Sequence, residues 1–139
     1  MFLFDTNVVS ELGPRQRTDL NVARWASSVP ASSTYLSVVS LTEIEVGVLL
    51  MERRDPRQGA VLRRWLEQSV LSGFAGRLLE VDERIARLCA HLHVPNPRPA
   101  YDAFIGATAL GHNLTLVTRN VADFAPMGVR LVNPWEMVS

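Results

Sequence analysis

Four carboxylates attract attention, because each sits where a predicted strand ends or a helix begins. They are Asp5 in Asp5-Thr6-Asn7, Glu43 in Thr42-Glu43-Ile44-Glu45-Val46-Gly47, Asp102 in Asp102-Ala103-Phe104-Ile105-Gly106-Ala107, and Asp123 in Thr118-Arg119-Asn120-Val121-Ala122-Asp123-Phe124. Several carboxylates in one pocket repel one another, so they share protons or hold a cation. Hard divalent ions take oxygen ligands, and Mg²⁺ usually keeps one or two carboxylates together with water and a substrate phosphate. Such a site suits metal-assisted cleavage of a phosphodiester by activated water. Each acid also has a purely structural reading. Asp5 can cap a helix from Thr6, Ser40-Leu41-Thr42-Glu43 matches a capping box, Asp102 suits the first turn after Pro99, and Asn120 can cap a short turn with Asp123 in its first turn. Capping does not account for four acids falling on one edge.

That shared edge depends on the elements between them. Phe2 to Phe4 reads as a short buried strand. Thr6 to Leu12 follows as a helix stopped by Gly13-Pro14. Asp19 begins a helix to about Val29, with Val22, Trp25, Ala26 and Val29 on one face. Thr34 to Ser37 is a second strand. Ser40 to about Arg53 is helical, with Leu41, Ile44, Val48 and Met51 aligned. After the polar turn Arg53–Arg57 a further helix runs to about Leu71, marked by Val61, Arg64, Trp65 and Gln68. Leu78 to Val81 is a third strand, and Asp82 opens a helix carrying Ile85, Leu88, Cys89 and Leu92. The proline-rich stretch from Val94 to Ala100 is a loop. Tyr101 to about Asn113 is a helix, Thr115 to Thr118 a fourth strand and Val129 to Val132 a fifth. Alternating strands and helices predict an α/β domain, its central, mostly parallel sheet of four to five strands flanked by helices. Right-handed crossovers put the carboxyl ends of the strands on one edge, where sites form in open sheets.

With 139 residues the chain is expected to form one domain, residues 1–139, and its 47% hydrophobic content is too high for disorder. Its 14 basic and 14 acidic residues cancel, and every base is arginine. Without lysine there is no Schiff-base nucleophile and no phosphate-binding Walker lysine. Zero net charge argues against strong non-specific polyanion binding, while leaving room for a local basic rim. One cysteine, Cys89, excludes an internal disulfide and any Cys-rich zinc pattern. The start lacks a basic, apolar leader, and no stretch is apolar enough to span a bilayer, so a cytoplasmic protein without membrane contact is expected.

In order along nearly the whole chain, these segments resemble the PIN-domain nucleases, and within them the VapC toxins of toxin–antitoxin pairs. The likeness is carried by Asp5-Thr6-Asn7, by Glu43-Ile44 with Gly47, by Asp102 opening an Ala/Gly-rich helix through Ala109, and by Thr118-Arg119-Asn120 with Asp123-Phe124. Phe74-Ala75-Gly76-Arg77 and Asn133-Pro134-Trp135 resemble the FitB-like branch. The resemblance implies an endoribonuclease toxin in which Asp5, Glu43 and Asp102 bind Mg²⁺ or Mn²⁺ and position water. Some relatives carry an aspartate where this chain has Asn120, and Asp123 offers a carboxylate three residues later. Both stand as candidates to complete the site. Thr6 and Thr118 would orient the carboxylates through their hydroxyls. The resemblance further implies an RNA substrate such as tRNA or rRNA, a small antitoxin seated in an apolar groove, a homodimer, and operator DNA bound only through the antitoxin. A PIN fold that binds without turnover, or a metal-dependent phosphatase, are the competing readings.

Arg98 and Arg119 flank two of the acidic segments and are candidate outer contacts to the substrate; Arg15, Arg17, Arg53, Arg54 and Arg57 form other basic clusters. The faces built from Val22, Trp25 and Val29 and from the helix after Ser40 are either groove or core. Asp102, Gly106 and Ala109 share a helical face small enough for close packing. Trp25, Trp65 and Trp135 read as packing residues, Cys89 as core, and Glu45 as solvated or salt-bridged. His91, His93 and His112 do not converge as zinc ligands.

Overall fold

The computed structural model describes residues 1–137; residues 138 and 139, part of the expected domain, lie outside the described residues. Chain order is β1 (Phe2–Phe4), α1 (Thr6–Glu11), α2 (Leu20–Ser28), β2 (Thr34–Ser37), α3 (Val38–Arg54), α4 (Pro56–Trp65), α5 (Leu71–Gly73), β3 (Leu78–Leu79), α6 (Glu83–Leu92), α7 (Ala100–Gly111), β4 (Thr115–Val117), α8 (Val121–Phe124) and β5 (Leu131–Val132). The strands form one parallel sheet in the order β3-β2-β1-β4-β5. All five expected strands are present and all pairings are parallel. β3 and β5 are two residues long, shorter than the sequence pattern suggests.

Register decides which side chains make which core, because alternate residues of a strand face opposite sides of the sheet. Phe4 lies opposite Leu36 on β2 and Val117 on β4, and all three enter one cluster with Val8, Val9, Trp25, Ile44, Val48, Leu66 and Val70. Leu3 lies opposite Tyr35 and Leu116 and faces the other way, into a cluster with Ile105, Ala109, Leu114, Phe124 and Met127. Helices α1 to α4 therefore cover one face, and α7 and α8 the other. Ile85 and Cys89 of α6 pack on Ala103 and Ala107 of α7 as an outer layer. Among the described residues, no helix is long and apolar enough to cross a membrane.

Several boundaries differ from the sequence reading for local reasons. The helix carrying Glu43 starts at Val38, because β2 runs straight into it and the Ser37 hydroxyl accepts from Val39 N at 3.0 Å. The capping box at Ser40 is not formed, and Ser40 lies buried inside the helix. Asn120 precedes α8 but makes no side-chain cap. The helix after Pro56 passes through a π-turn at Leu66–Val70. Its inward face is Gly59, Leu62, Leu66 and Val70, with Trp65 packed at the edge of the core, whereas Val61, Arg64 and Gln68 line an outer groove. The α2 stripe is core, as Val22 and Trp25 are buried. Glu45 pairs with Arg63 at 2.6 Å, which also reaches Glu52 at 2.9 Å, tying α3 to α4.

One buried acid was not singled out by sequence pattern. Glu11, 7% exposed, binds Arg15 at 2.8 Å and accepts from the Asp19 amide at 2.9 Å. It pins the segment between α1 and α2 at both ends, and removes Arg15 from the set of free surface cations.

At Gly59 the α3–α4 contact leaves no room for a side chain. A β-carbon there would stand 2.5 Å from Cα of Glu52, and backbone cannot yield as a flexible side chain does. Overpacking of this kind costs about 1–3 kcal/mol. Gly59→Ala is expected to lose that much in urea unfolding, with the slope of the transition unchanged.

Candidate active site

The site begins with one carboxylate at the end of the central strand. Asp5 directly follows β1 and is 5% exposed. Its amide continues the ladder by donating to Val117 O at 2.9 Å, so its side chain emerges at the carboxyl edge between β1 and β4. Oδ1 accepts from the Thr6 amide at 2.8 Å, and Oδ2 accepts from the Thr118 hydroxyl at 2.7 Å. Asp5 thus caps α1 at the carboxyl edge of the sheet; the structural and chemical readings of this residue are compatible.

Thr118 is fully buried, one residue beyond β4. Its hydroxyl donates to Asp5 and accepts from the Asn120 amide at 2.9 Å, with Asn7 Nδ2 at 3.5 Å. Asn120 therefore reaches this network through its backbone. Asn7, on the first turn of α1, also accepts from the Arg119 amide at 3.5 Å and so links α1 to the segment after β4. Its place in Asp5-Thr6-Asn7 is visible in sequence, but nothing local signals a contact more than a hundred residues away.

Glu43 arrives from α3. Its Oε1 accepts from the Thr6 hydroxyl at 2.7 Å, so both Thr6 and Thr118 fix a carboxylate. Asp102 occupies the first turn of α7, partly buried, after Pro99. Asp123 lies in the first turn of α8.

Electrostatics shows that these acids share one region. Burial pushes the Asp5 carboxyl above its ordinary range; hydrogen bonds from Thr118 and Thr6 oppose this, and the charges of Glu43 and Asp123 add to it. Burial likewise raises Asp102, helped by the charges of Asp5 and Asp123. The charge of Asp123 bears on both carboxyls. Among the described residues, no three His, Cys, Asp or Glu side chains are gathered closely enough to chelate one ion by themselves.

The flanking arginines differ. Arg98 is engaged with the end of α6, its Nε donating to Leu92 O at 2.9 Å and its amide to His93 Nδ1 at 3.2 Å. Arg119 lies beside the Asp5–Thr118 pair, its guanidinium carbon 5.3 Å from the centre of the Trp135 ring.

An apolar groove of about 220 Å³ runs from Glu43 past Gly47 and Val48 to Leu62, Trp65 and Pro14. A second, of about 420 Å³, adjoins it through Pro14 and Trp65 and is lined also by Leu12, Gly13, Val61 and Gln68. The groove surface thus comes from α3, α4 and the segment after α1, not from the α2 stripe.

Residues 2–126 match the PIN domain family. The chain is 36% identical to toxin FitB of Neisseria gonorrhoeae over 141 residues, spanning 98% of this chain and 99% of that protein. It is 31% identical to VapC ribonuclease Y4jK of Sinorhizobium fredii, again over 98% of this chain and 99% of the relative. The crystal structure of FitAcB from Neisseria gonorrhoeae superposes with a TM-score of 0.91 at 36% identity, covering 99% of this chain and 100% of that one. A toxin–antitoxin complex from Klebsiella pneumoniae gives 0.70 at 28% identity, with coverage of 99% and 100%. A parallel sheet with a buried acid at the end of its central strand, continuous likeness to these proteins, and the match over residues 2–126 together establish that the chain belongs to the PIN domain family.

Proposed function

We propose that this protein is a divalent-metal-dependent endoribonuclease toxin of the cytoplasm, hydrolysing RNA phosphodiesters and controlled by a small antitoxin. The carrying observation is a buried Asp5 at the carboxyl edge of the sheet, gripped by Thr118 and Thr6 beside the Thr6–Glu43 contact; burial raises the Asp5 and Asp102 carboxyls, and the charges of Glu43 and Asp123 on Asp5, and of Asp5 and Asp123 on Asp102, add to it. Such a pocket is unfavourable when empty of cations and favourable when one is held. The naming of relatives as a toxin and as a ribonuclease supports the same reading.

Asp5, Glu43 and Asp102 would hold Mg²⁺ or Mn²⁺, one or two of them directly and the remainder through bound water. When bound, the ion would supply activated water and a Lewis acid toward the phosphate. Thr118 fixes the orientation of Asp5 and Thr6 that of Glu43, so neither carboxylate has to reorganise at the moment of reaction. Asp123 completes the negative wall, while Asn120 braces Thr118 through its amide. The apolar groove leading to Glu43 suits an antitoxin segment that ends at the acids. We further propose that the protein is a homodimer, that its substrate is a tRNA or rRNA, and that it meets operator DNA only through the antitoxin.

Cleavage of a single-stranded RNA in Mg²⁺ or Mn²⁺, with a simple phosphomonoester as control, tests the assignment. Asp5→Asn or Asp102→Asn is expected to lower RNA cleavage at least about 10²-fold, and Thr118→Val about 10–100-fold. Hydrolysis of the phosphomonoester alone would make the protein a phosphatase, and RNA binding without cleavage a binding module.

Thermal unfolding tests the electrostatics separately. Because the folded Asp102 carboxyl is raised above its ordinary value of 3.8, the folded state holds a proton that the unfolded chain has released. Wild-type stability therefore falls as pH climbs from the unfolded value through the raised folded one. Without metal, Asp102→Asn should match or exceed wild type at neutral pH, and this advantage should vanish on acidification below that window. Mg²⁺ at about 100 times its Kd should stabilise wild type by about 2.7 kcal/mol, with a much smaller effect on the variant.

A further inference from the structure

We propose that Arg119, held in place by Trp135, is a phosphate clamp that sets the RNA backbone beside the acid pocket. The inference rests on the ribonuclease reading and adds to it a specific binding residue and the residue that positions it.

The acid pocket itself repels a polyanion, so a nuclease built on it needs fixed positive charge close by. Arg119 follows Thr118, whose hydroxyl grips Asp5, and its own amide contacts Asn7. Its backbone is therefore part of the frame that holds the acid. Its guanidinium lies over the Trp135 ring, with 5.3 Å from its carbon to the ring centre. This cation–π contact spends no N–H donor of the guanidinium on a hydrogen bond. Among the described residues, the salt bridges engage Arg15 and Arg63, and no carboxylate pairs with Arg119. Arg98, the other flanking arginine, has its Nε committed to a helix carbonyl.

Trp135 is built to hold this position. Its amide donates to Asn133 Oδ1 at 3.0 Å, its carbonyl accepts from Asn21 Nδ2 at 2.9 Å, and its ring packs against the core beneath α2. One face of the ring is thus set by the fold, and the arginine lies across the indole. A planar fork on a rigid platform suits two phosphate oxygens better than a mobile ammonium would. The chain contains no lysine to substitute.

The test measures RNA cleavage and RNA affinity across a salt series for wild type, Arg119→Met, Trp135→Leu, Trp135→Phe and the Arg119→Met/Trp135→Leu pair. A ground-state phosphate contact should appear in KM with kcat little changed. Arg119→Met and Trp135→Leu are each expected to raise KM about tenfold, to flatten the plot of log K against log salt by about 0.7, and to be non-additive together. Trp135→Phe should restore most of the loss. An unchanged KM and salt slope in Arg119→Met would overturn the clamp. If Trp135→Leu fails to fold, Arg119→Met and Trp135→Phe decide the matter alone. If wild type cuts no RNA, the ribonuclease reading fails, and the clamp stands or falls on whether Arg119→Met still flattens the salt dependence of RNA binding.

Discussion

The hydrogen bond from Thr118 to Asp5 is the contact on which the rest of the site depends. It joins the end of the central strand to the end of its neighbour, two segments at opposite ends of the chain. Burying a carboxylate is unfavourable unless its oxygens find donors, and here both do. Because the donors are a strand-end hydroxyl and a helix amide, Asp5 has its orientation set before anything binds. Asn7 and Asn120 bond the same threonine hydroxyl and the Arg119 amide bonds Asn7, so α1, the end of β4 and the approach to α8 are tied together there.

The sheet makes that contact possible. Parallel pairing of β1 with both β2 and β4 brings their carboxyl ends level, and the register that sends Leu3 and Phe4 to opposite cores fixes where Asp5 emerges. α3 starts directly at the end of β2, which carries Glu43 to the Thr6 hydroxyl. α7 presents Asp102 from the opposite layer, its small residues allowing the close approach: a β-carbon on Gly106 would fall 2.5 Å from the Met127 sulfur. Acids from both helical layers are thus directed at one edge, and their repulsion is balanced by the stability of the two cores.

Much of this was legible in the amino-acid order. The runs at Phe2–Phe4, Thr34–Ser37 and Thr115–Thr118 identify strands, the last one residue shorter in the structure, and the placing of acids at their ends follows from the topology such strands imply. The signals that misled were local ones with two meanings. Ser40-Leu41-Thr42-Glu43 satisfies a capping pattern, yet Ser37 at the strand end starts the helix first. Val61, Arg64, Trp65 and Gln68 make a plausible stripe, yet only Trp65 of these packs on the core; the helix turns Gly59, Leu62, Leu66 and Val70 inward. Asn120 looks like a cap but contributes its backbone. The pairings of Trp135 with Arg119 and of Asn7 with Thr118 are set by tertiary geometry, which no periodicity encodes.

The Glu11 staple bears on how the groove meets a partner. With Arg15 and the Asp19 amide both fastened to one buried carboxylate, the wall containing Leu12, Gly13 and Pro14 is already shaped. A peptide entering there would not have to order that wall, so less of the contact energy is lost to conformational entropy. Fit is then judged against a rigid template, which favours discrimination among similar peptides over accommodation of many.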